Sequence, residues 1–136
     1  MDVAQLHFML IDDNKIDLFL HQKLLSISKI GNEFTTYNSA EMALIMLDKN
    51  SNEAERLPDI ILLDIQMPHM NGFDFLDAFA VLEGKLAKRI IIYTLSSTAD
   101  SKDTNRMKNH PLIARALKKP LEVSILIQEV KNRTSH

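Results

Sequence analysis

The apolar run Ile60-Ile61-Leu62-Leu63 stops on Asp64 and passes at once into Ile65-Gln66-Met67-Pro68-His69-Met70-Asn71-Gly72. Four consecutive aliphatic residues with no polar alternation describe a strand covered on both faces, as in a parallel sheet lying between helix layers. Sheets of that kind bind their ligands beyond the carboxyl ends of the strands, which is where Asp64 stands. Taken alone, Asp64 reads equally well as the cap of the turn that follows. Three more strand ends change the balance. Leu6-His7-Phe8-Met9-Leu10-Ile11 ends on the acidic pair Asp12-Asp13, Ile90-Ile91-Ile92-Tyr93-Thr94-Leu95 leads into Ser96-Ser97-Thr98, and Leu112-Ile113-Ala114-Arg115-Ala116-Leu117 leads into Lys118-Lys119-Pro120. Together the strand ends offer acids, hydroxyls and an ammonium.

Helical patterns alternate with these strands. Asn14 opens one in which Ile16, Phe19, Leu20, Leu24 and Ile27 recur at three- and four-residue steps, with Gly31 placed to end it. Phe34-Thr35-Thr36-Tyr37 reads as a further strand, and Asn38-Ser39-Ala40-Glu41 as a capping box opening a helix through about Lys49, with Ala40, Leu44 and Leu47 as its buried stripe. Asp48 to Pro58 reads as a surface loop. Gly72 leads into a helix carrying Phe73, Leu76, Phe79, Ala80 and Leu82 and ending near Gly84, and Pro120 suits the start of a last helix with Val123, Leu126, Ile127 and Val130 on its apolar face. The segment Thr98 to His110 should hold another helix, capped by Asp100, but Met107 is its only large apolar residue. A short helix with almost no stripe to bury should be marginal.

The acids call for a cation. Capping and dipole stabilisation of one helix would use a single carboxylate, for about 0.3–1 kcal/mol. Adjacent Asp12 and Asp13 beside Asp64 raise one another's proton affinity, an unfavourable arrangement unless a positive charge compensates. Hard carboxylate ligands select Mg²⁺, with Mn²⁺ as the alternative, over soft-ligand metals. The histidines His7, His21, His69, His110 and His136 show no metal-ligand spacing and read as structural or solvated.

At 136 residues, with 46% hydrophobic and 25% charged content, the chain suits one domain, residues 1–136 with a core of about 6–130, and disorder is not indicated. No apolar stretch approaches the length of a bilayer span, and Asp12-Asp13 interrupts the N-terminal run before it could serve as a signal-peptide core, so a cytoplasmic protein without membrane contact is expected. A formal charge of -2 without a basic stripe argues against nucleic-acid binding, and the absence of cysteine excludes disulfides and thiol chemistry.

From about Leu6 to Val130 the chain resembles the receiver domain of bacterial two-component response regulators. The matching marks are Asp12-Asp13 after the first strand, Asp64 with Met67-Pro68 and Asn71-Gly72 downstream, a small hydroxyl residue after the fourth strand, and Lys119-Pro120 after the fifth. The resemblance implies an α/β fold, a doubly wound five-stranded parallel sheet in the flavodoxin-like order 2-1-3-4-5 with helices on both faces. It implies that Asp64 accepts a phosphoryl group, that Asp13, Asp64 and the backbone carbonyl of Gln66 coordinate Mg²⁺ directly, and that Asp12 does so largely through water. Lys119 would pair with the phosphoryl oxygens, Ser96 would donate a hydroxyl hydrogen bond to one of them, and Pro120 would follow a cis peptide bond. The implied partners are a histidine kinase or histidine phosphotransfer protein upstream and a protein target downstream. The protein would be a stand-alone switch, and no enzyme beyond its own phosphorylation and dephosphorylation.

Some assignments stay open on the sequence. Ser96 best fits the hydroxyl position, but Thr94 shares its side-chain direction and Ser97 adjoins it. Lys118 competes with Lys119, although alternation along a strand would point it elsewhere. A pseudo-receiver that binds without phosphorylation is a second reading, opposed by the intact Asp12, Asp13, Asp64 and Lys119. A magnesium-dependent aspartyl-phosphate phosphohydrolase is a third, opposed by the absence of a spaced second acid after Asp12 and of a cap insertion. One departure stands out: receivers commonly carry an aromatic residue three positions before the lysine, and here that position is Ala116. The switch should therefore act by drawing Ser96 and its loop toward Asp64, shifting Thr98 to His110 between loose and ordered forms.

Overall fold

The computed structural model describes residues 2–134; His136 lies outside them. Five strands alternate with five α-helices: β1 His7–Ile11, α1 Lys15–Ile27, β2 Glu33–Tyr37, α2 Ala40–Lys49, β3 Ile60–Asp64, α3 Gly72–Leu82, β4 Ile91–Ser96, α4 Ser101–Lys108, β5 Ile113–Lys118 and α5 Val123–Thr134. All neighbouring strands pair parallel, in the order β2-β1-β3-β4-β5. The fold is the flavodoxin-like one expected.

The apolar strands serve two cores at once. Met9, Ile11, Ile61 and Leu63 face α2 and α3 through Ala43, Leu47, Phe75, Leu76 and Phe79. Phe8, Leu10, Ile60 and Leu62 face α1 and α5 through Leu18, Leu25, Leu126 and Val130. The alternation of side chains along a strand thus operates even where no polar residue marks it.

Several helix faces differ from the spacing. In α1 the buried residues are Leu18, His21 and Leu25, while Ile16, Phe19 and Ile27 are 77%, 71% and 68% exposed. The helix carries two apolar faces, and the one set against Leu6, Phe8 and Leu10 is the face with Leu18 and Leu25, joined at its border by Leu24. The helix also ends earlier than Gly31. Lys29 takes the left-handed conformation (φ 58°), and its N–H and that of Ile30 donate to Ser26 and Leu25 O, both at 3.1 Å, closing a Schellman turn. Gly31 serves a close approach instead: with φ at 81°, a Cβ there would lie 2.7 Å from the Phe8 ring. In α2 Ala43 is fully buried and Leu44 only partly, and in α3 Phe75 is buried while Ala80 is exposed. Pro120 precedes α5 by three residues, and Glu122 O receives the first amides of that helix.

The polar segment after β4 does form a helix. Asp100 accepts the Lys102 N–H at 2.8 Å, and the Thr104 hydroxyl donates to Asp100 O at 2.9 Å. Met107 is its one buried residue, and the Arg106 guanidinium lies 3.9 Å over the Phe73 ring.

Gly72 binds the fold to the site. A Cβ there would meet Ile65 Cα at 2.7 Å and Asp64 O at 2.8 Å, backbone atoms that cannot step aside. Gly72→Ala is expected to cost about 3 kcal/mol of stability, measured by denaturant unfolding. A loss within experimental error would show that the turn after β3 is pliant.

Candidate functional site

The topology brings the carboxyl ends of β1, β3, β4 and β5 to one edge of the sheet, where order reverses between β1 and β3. Asp64 closes β3 and Asp12 follows β1, both nearly inaccessible, while Asp13 is exposed. Asp12 Oδ1 accepts the Asn14 N–H at 2.9 Å, and Asp64 Oδ1 accepts the Gln66 N–H at 3.1 Å. Each bond closes a local turn, so the two carboxylates are aimed by their own stretch of chain. One oxygen from each of Asp12, Asp13 and Asp64 lies within 4.8 Å of the others.

Lys119, next after β5, reaches into this cluster. Its Nζ is 2.7 Å from Asp12 Oδ2, 2.9 Å from Asp17 Oδ2 and 3.7 Å from Asp64 Oδ1. The Asp12 contact is an ion pair by distance without the alignment of a hydrogen bond. The Lys119 N–H donates to Ser96 O at 3.0 Å, tying the ends of β4 and β5 together, and the Lys119-Pro120 bond is cis. Lys118 is exposed, as strand alternation requires.

The hydroxyl candidates separate clearly. Ser96 is buried, and its Oγ accepts the Thr98 N–H at 3.1 Å, leaving its own proton to donate. Thr94 is buried too, but its hydroxyl is directed to Met107 Sδ at 3.4 Å on the helix side. Ser97 is exposed, with Gln66 Oε1 at the 3.5 Å limit. Gln66 lies in the loop directly after Asp64 and touches that carboxylate through its N–H. Ala116 pairs in register with Thr94 and packs beside the core that holds Met107.

Burial and the Asp12 charge push the Asp64 carboxyl up to about 7, against the pull of Lys119 and the Gln66 N–H. Burial would lower the Lys119 ammonium, but its contacts with Asp12 and Asp17 and the charges of Asp64 and Asp12 hold it above the usual lysine range. Both shifts express one fact: three carboxylates, Asp12, Asp17 and Asp64, crowd a single ammonium, with Asp13 beside them in the acid cluster. The set fits a hard divalent cation, because it has excess negative charge, oxygen donors only, and in Asp12 Oδ2 a buried oxygen without a directed hydrogen bond. Asp13 provides the solvent-facing side.

Two neighbours that the sequence motifs do not include adjoin the site, Asp17 and His21, the latter structural as its lack of metal-ligand spacing implies. Asp17 bonds Lys119, and His21 Nε2 accepts the Leu121 N–H at 3.4 Å. Both follow from Asp13 at four-residue steps, which places them on one line of α1; that spacing was the available signal. A surface cavity of about 590 Å³ beside Ile90, Ile91 and Leu112 lies at the opposite end of β4 and β5 and contains none of these residues.

Comparison with known proteins identifies the family and the fold. The response regulator receiver domain family matches residues 8–131. The two-component response regulator ORR1 of Oryza sativa subsp. japonica is 30% identical over 103 residues, 74% of this chain and 44% of that protein, so the chain spans less than half the length of that relative. A response regulator receiver protein from Dyadobacter fermentans is 35% identical, with a TM-score of 0.82 over 93% of this chain and 95% of that one. A two-component response regulator from Cytophaga hutchinsonii is 26% identical, with a TM-score of 0.85 over 97% and 99% of the two chains. No helix among the described residues is long and apolar enough to cross a membrane. On its motifs, its sheet order and these matches, the chain belongs to the receiver domain family of two-component response regulators.

Proposed function

We propose that the protein is a phosphoacceptor switch in which Asp64 takes a phosphoryl group from a phosphohistidine. The observation that carries this reading is the burial of Asp64 at a strand end with Asp12 and Asp13 within metal-binding reach and the Lys119 ammonium 3.7 Å away. A carboxylate oxygen of Asp64 attacks phosphorus, the P–O bond forms as the P–N bond breaks, and the electron pair leaves with the imidazole. Two anions must meet in this step, so positive charge decides the rate. Mg²⁺, or Mn²⁺ in its place, held by Asp12, Asp13, Asp64 and the Gln66 carbonyl, would supply most of that charge. Lys119 turns to the phosphoryl oxygens and the Ser96 hydroxyl donates to one of them. The protein performs no chemistry beyond its own phosphorylation and dephosphorylation.

The donor is a histidine kinase or histidine phosphotransfer protein in the cytoplasm, and the output is altered affinity for a downstream protein. A protein donor is supported by α1, which begins beside Asp13 and exposes Ile16, Phe19 and Leu20 to solvent. With Ala116 in the place of an aromatic ring, the signal leaves through the loop from Ser96 to α4. Thr98 N–H now rests on Ser96 Oγ, and α4 is anchored by Met107 alone among its buried residues. Amides of Thr98 to His110 are expected to exchange faster than those of α2 and to gain protection with beryllofluoride and Mg²⁺, an effect blunted in Ser96→Ala. Equal, strong protection in both states would move the output to another surface.

The function itself is tested by incubating the purified protein with Mg²⁺ and acetyl phosphate and weighing it intact. One phosphoryl adduct, absent when Mg²⁺ is chelated, is expected. No adduct would favour a pseudo-receiver that binds without phosphorylation.

A further inference from the structure

Asp17 has no part in the chemistry above, yet it holds the group that does. The Asn14 side chain accepts the N–H groups of Ile16 and Asp17 at 2.9 and 3.1 Å, which fixes the first turn of α1. Asp17 is thereby aimed at Lys119 and receives its ammonium at 2.9 Å. One turn on, His21 is 2% exposed and takes the Leu121 N–H on Nε2. The helix therefore grips both sides of Pro120, Lys119 by its side chain and Leu121 by its backbone. Asp12 at 2.7 Å and Asp17 at 2.9 Å claim the ammonium, while Asp64 at 3.7 Å lies beyond hydrogen-bond reach. Asp12 belongs to the buried acid cluster itself, 5% exposed at its side chain. Asp17 sits at the rim, 28% exposed against 13% for the lysine side chain.

Building on the reading of Asp64 as phosphoryl acceptor, we propose that Asp17 is a positioning residue that parks Lys119 away from Asp64, so that an anion can be seated on Asp64 only as the Asp17–Lys119 ion pair is released. Asp17 then sets how readily the site is loaded and how long it stays loaded. The charge of Asp17 acts in the same sense, because it repels the incoming anion as well as retaining the lysine.

Beryllofluoride in saturating Mg²⁺ is the probe, titrated calorimetrically into the wild type, Asp17→Asn and Asp17→Glu. Asp17→Asn should bind roughly three- to tenfold more tightly, the range expected when a partly exposed ion pair no longer has to break. Asp17→Glu, which keeps the charge and the helix-dipole interaction, should bind close to the wild type. The Lys119 side-chain ammonium resonance of free Asp17→Asn should move toward its position in the beryllofluoride-bound wild type, a shift that a merely structural Asp17 would not produce. A wild type that binds no beryllofluoride overturns both the acceptor reading and this proposal. Wild-type binding with Asp17→Asn no tighter, or with the Lys119 resonance unmoved, overturns this proposal alone.

Discussion

Asp64→Asn is expected to melt at a higher temperature than the wild type at pH 8 without Mg²⁺, by roughly 6–10 °C for about 2 kcal/mol. Burial and the Asp12 charge raise the folded-state pKa of Asp64 to about 7 from an ordinary 3.8. The native protein thus keeps a proton that the unfolded chain gives up near pH 4, and above pH 7 it must fold around a buried, ill-compensated carboxylate. A raised folded-state pKa contributes stability that is complete below the unfolded value and is lost as pH rises through the folded one. The wild type should therefore weaken from about pH 4 to 7, while the asparagine variant, with nothing to ionise there, should not share that fall. Mg²⁺ at pH 8 should restore most of the deficit in the wild type and little in the variant, since ligands that bind only the folded state stabilise it by mass action. Differential scanning calorimetry across pH, with and without the ion, reads all of this. Superimposable pH profiles for the two proteins would mean that Asp64 is ionised and well compensated in the fold without a metal.

Asp13→Asn and Lys119→Ala should fail in opposite ways. Asp13 is exposed and forms no hydrogen bond or ion pair among the described residues, so the fold does not depend on it. Its loss should leave metal-free stability within about 0.5 kcal/mol and weaken Mg²⁺ binding by on the order of 100-fold, since even outer-shell partners of a metal site are worth 10- to 100-fold. Lys119 is the ammonium that Asp12, Asp17 and Asp64 share. Lys119→Ala should cost about 3 kcal/mol of metal-free stability, the scale of stripping the partner from a buried charge, with much of that regained in Mg²⁺. It should retain metal binding and lose phosphoryl transfer or its downstream effect. Calorimetric Mg²⁺ titration and acetyl phosphate labelling separate the two variants. If Lys119→Ala were stable and switched normally, the exposed Lys118 would have to supply the role.

The strand ends were legible because a buried parallel strand must be apolar until it stops, so any acid, hydroxyl or ammonium at its end stands out. Asp12, Asp13 and Asp64 stand out in that way, whereas Ser96 among Thr94 and Ser97, and Lys119 beside Lys118, are singled out through the resemblance to receiver domains; the structure brings all five to one edge of the sheet. The register of α1 was not legible. Ile16, Phe19 and Ile27 have the right spacing for a buried face, but Leu18 and Leu25 have it too, and only the tertiary fit to Phe8 and Leu10 decides between them. The place of Asp17 and His21 beside the site was hidden for a related reason. A lone acid in a first helical turn reads as a dipole partner and a lone histidine as a core residue, and nothing within α1 announces a loop some hundred residues away. In the fourth helix the sequence offers Met107 as the one large apolar residue, and Met107 is the one it buries, but the Arg106 contact with Phe73 joins residues on different elements and leaves no local signal.

The most direct test of Asp64 as the acceptor is to trap the acyl phosphate chemically. After labelling with acetyl phosphate and Mg²⁺, borohydride reduces the mixed anhydride to an alcohol, converting the acceptor aspartate to homoserine, which peptide sequencing by mass spectrometry locates. Homoserine at position 64 alone, dependent on both donor and Mg²⁺, is the predicted result. Homoserine at Asp12 or Asp13, or at no position despite a phosphorylated intact mass, would contradict it.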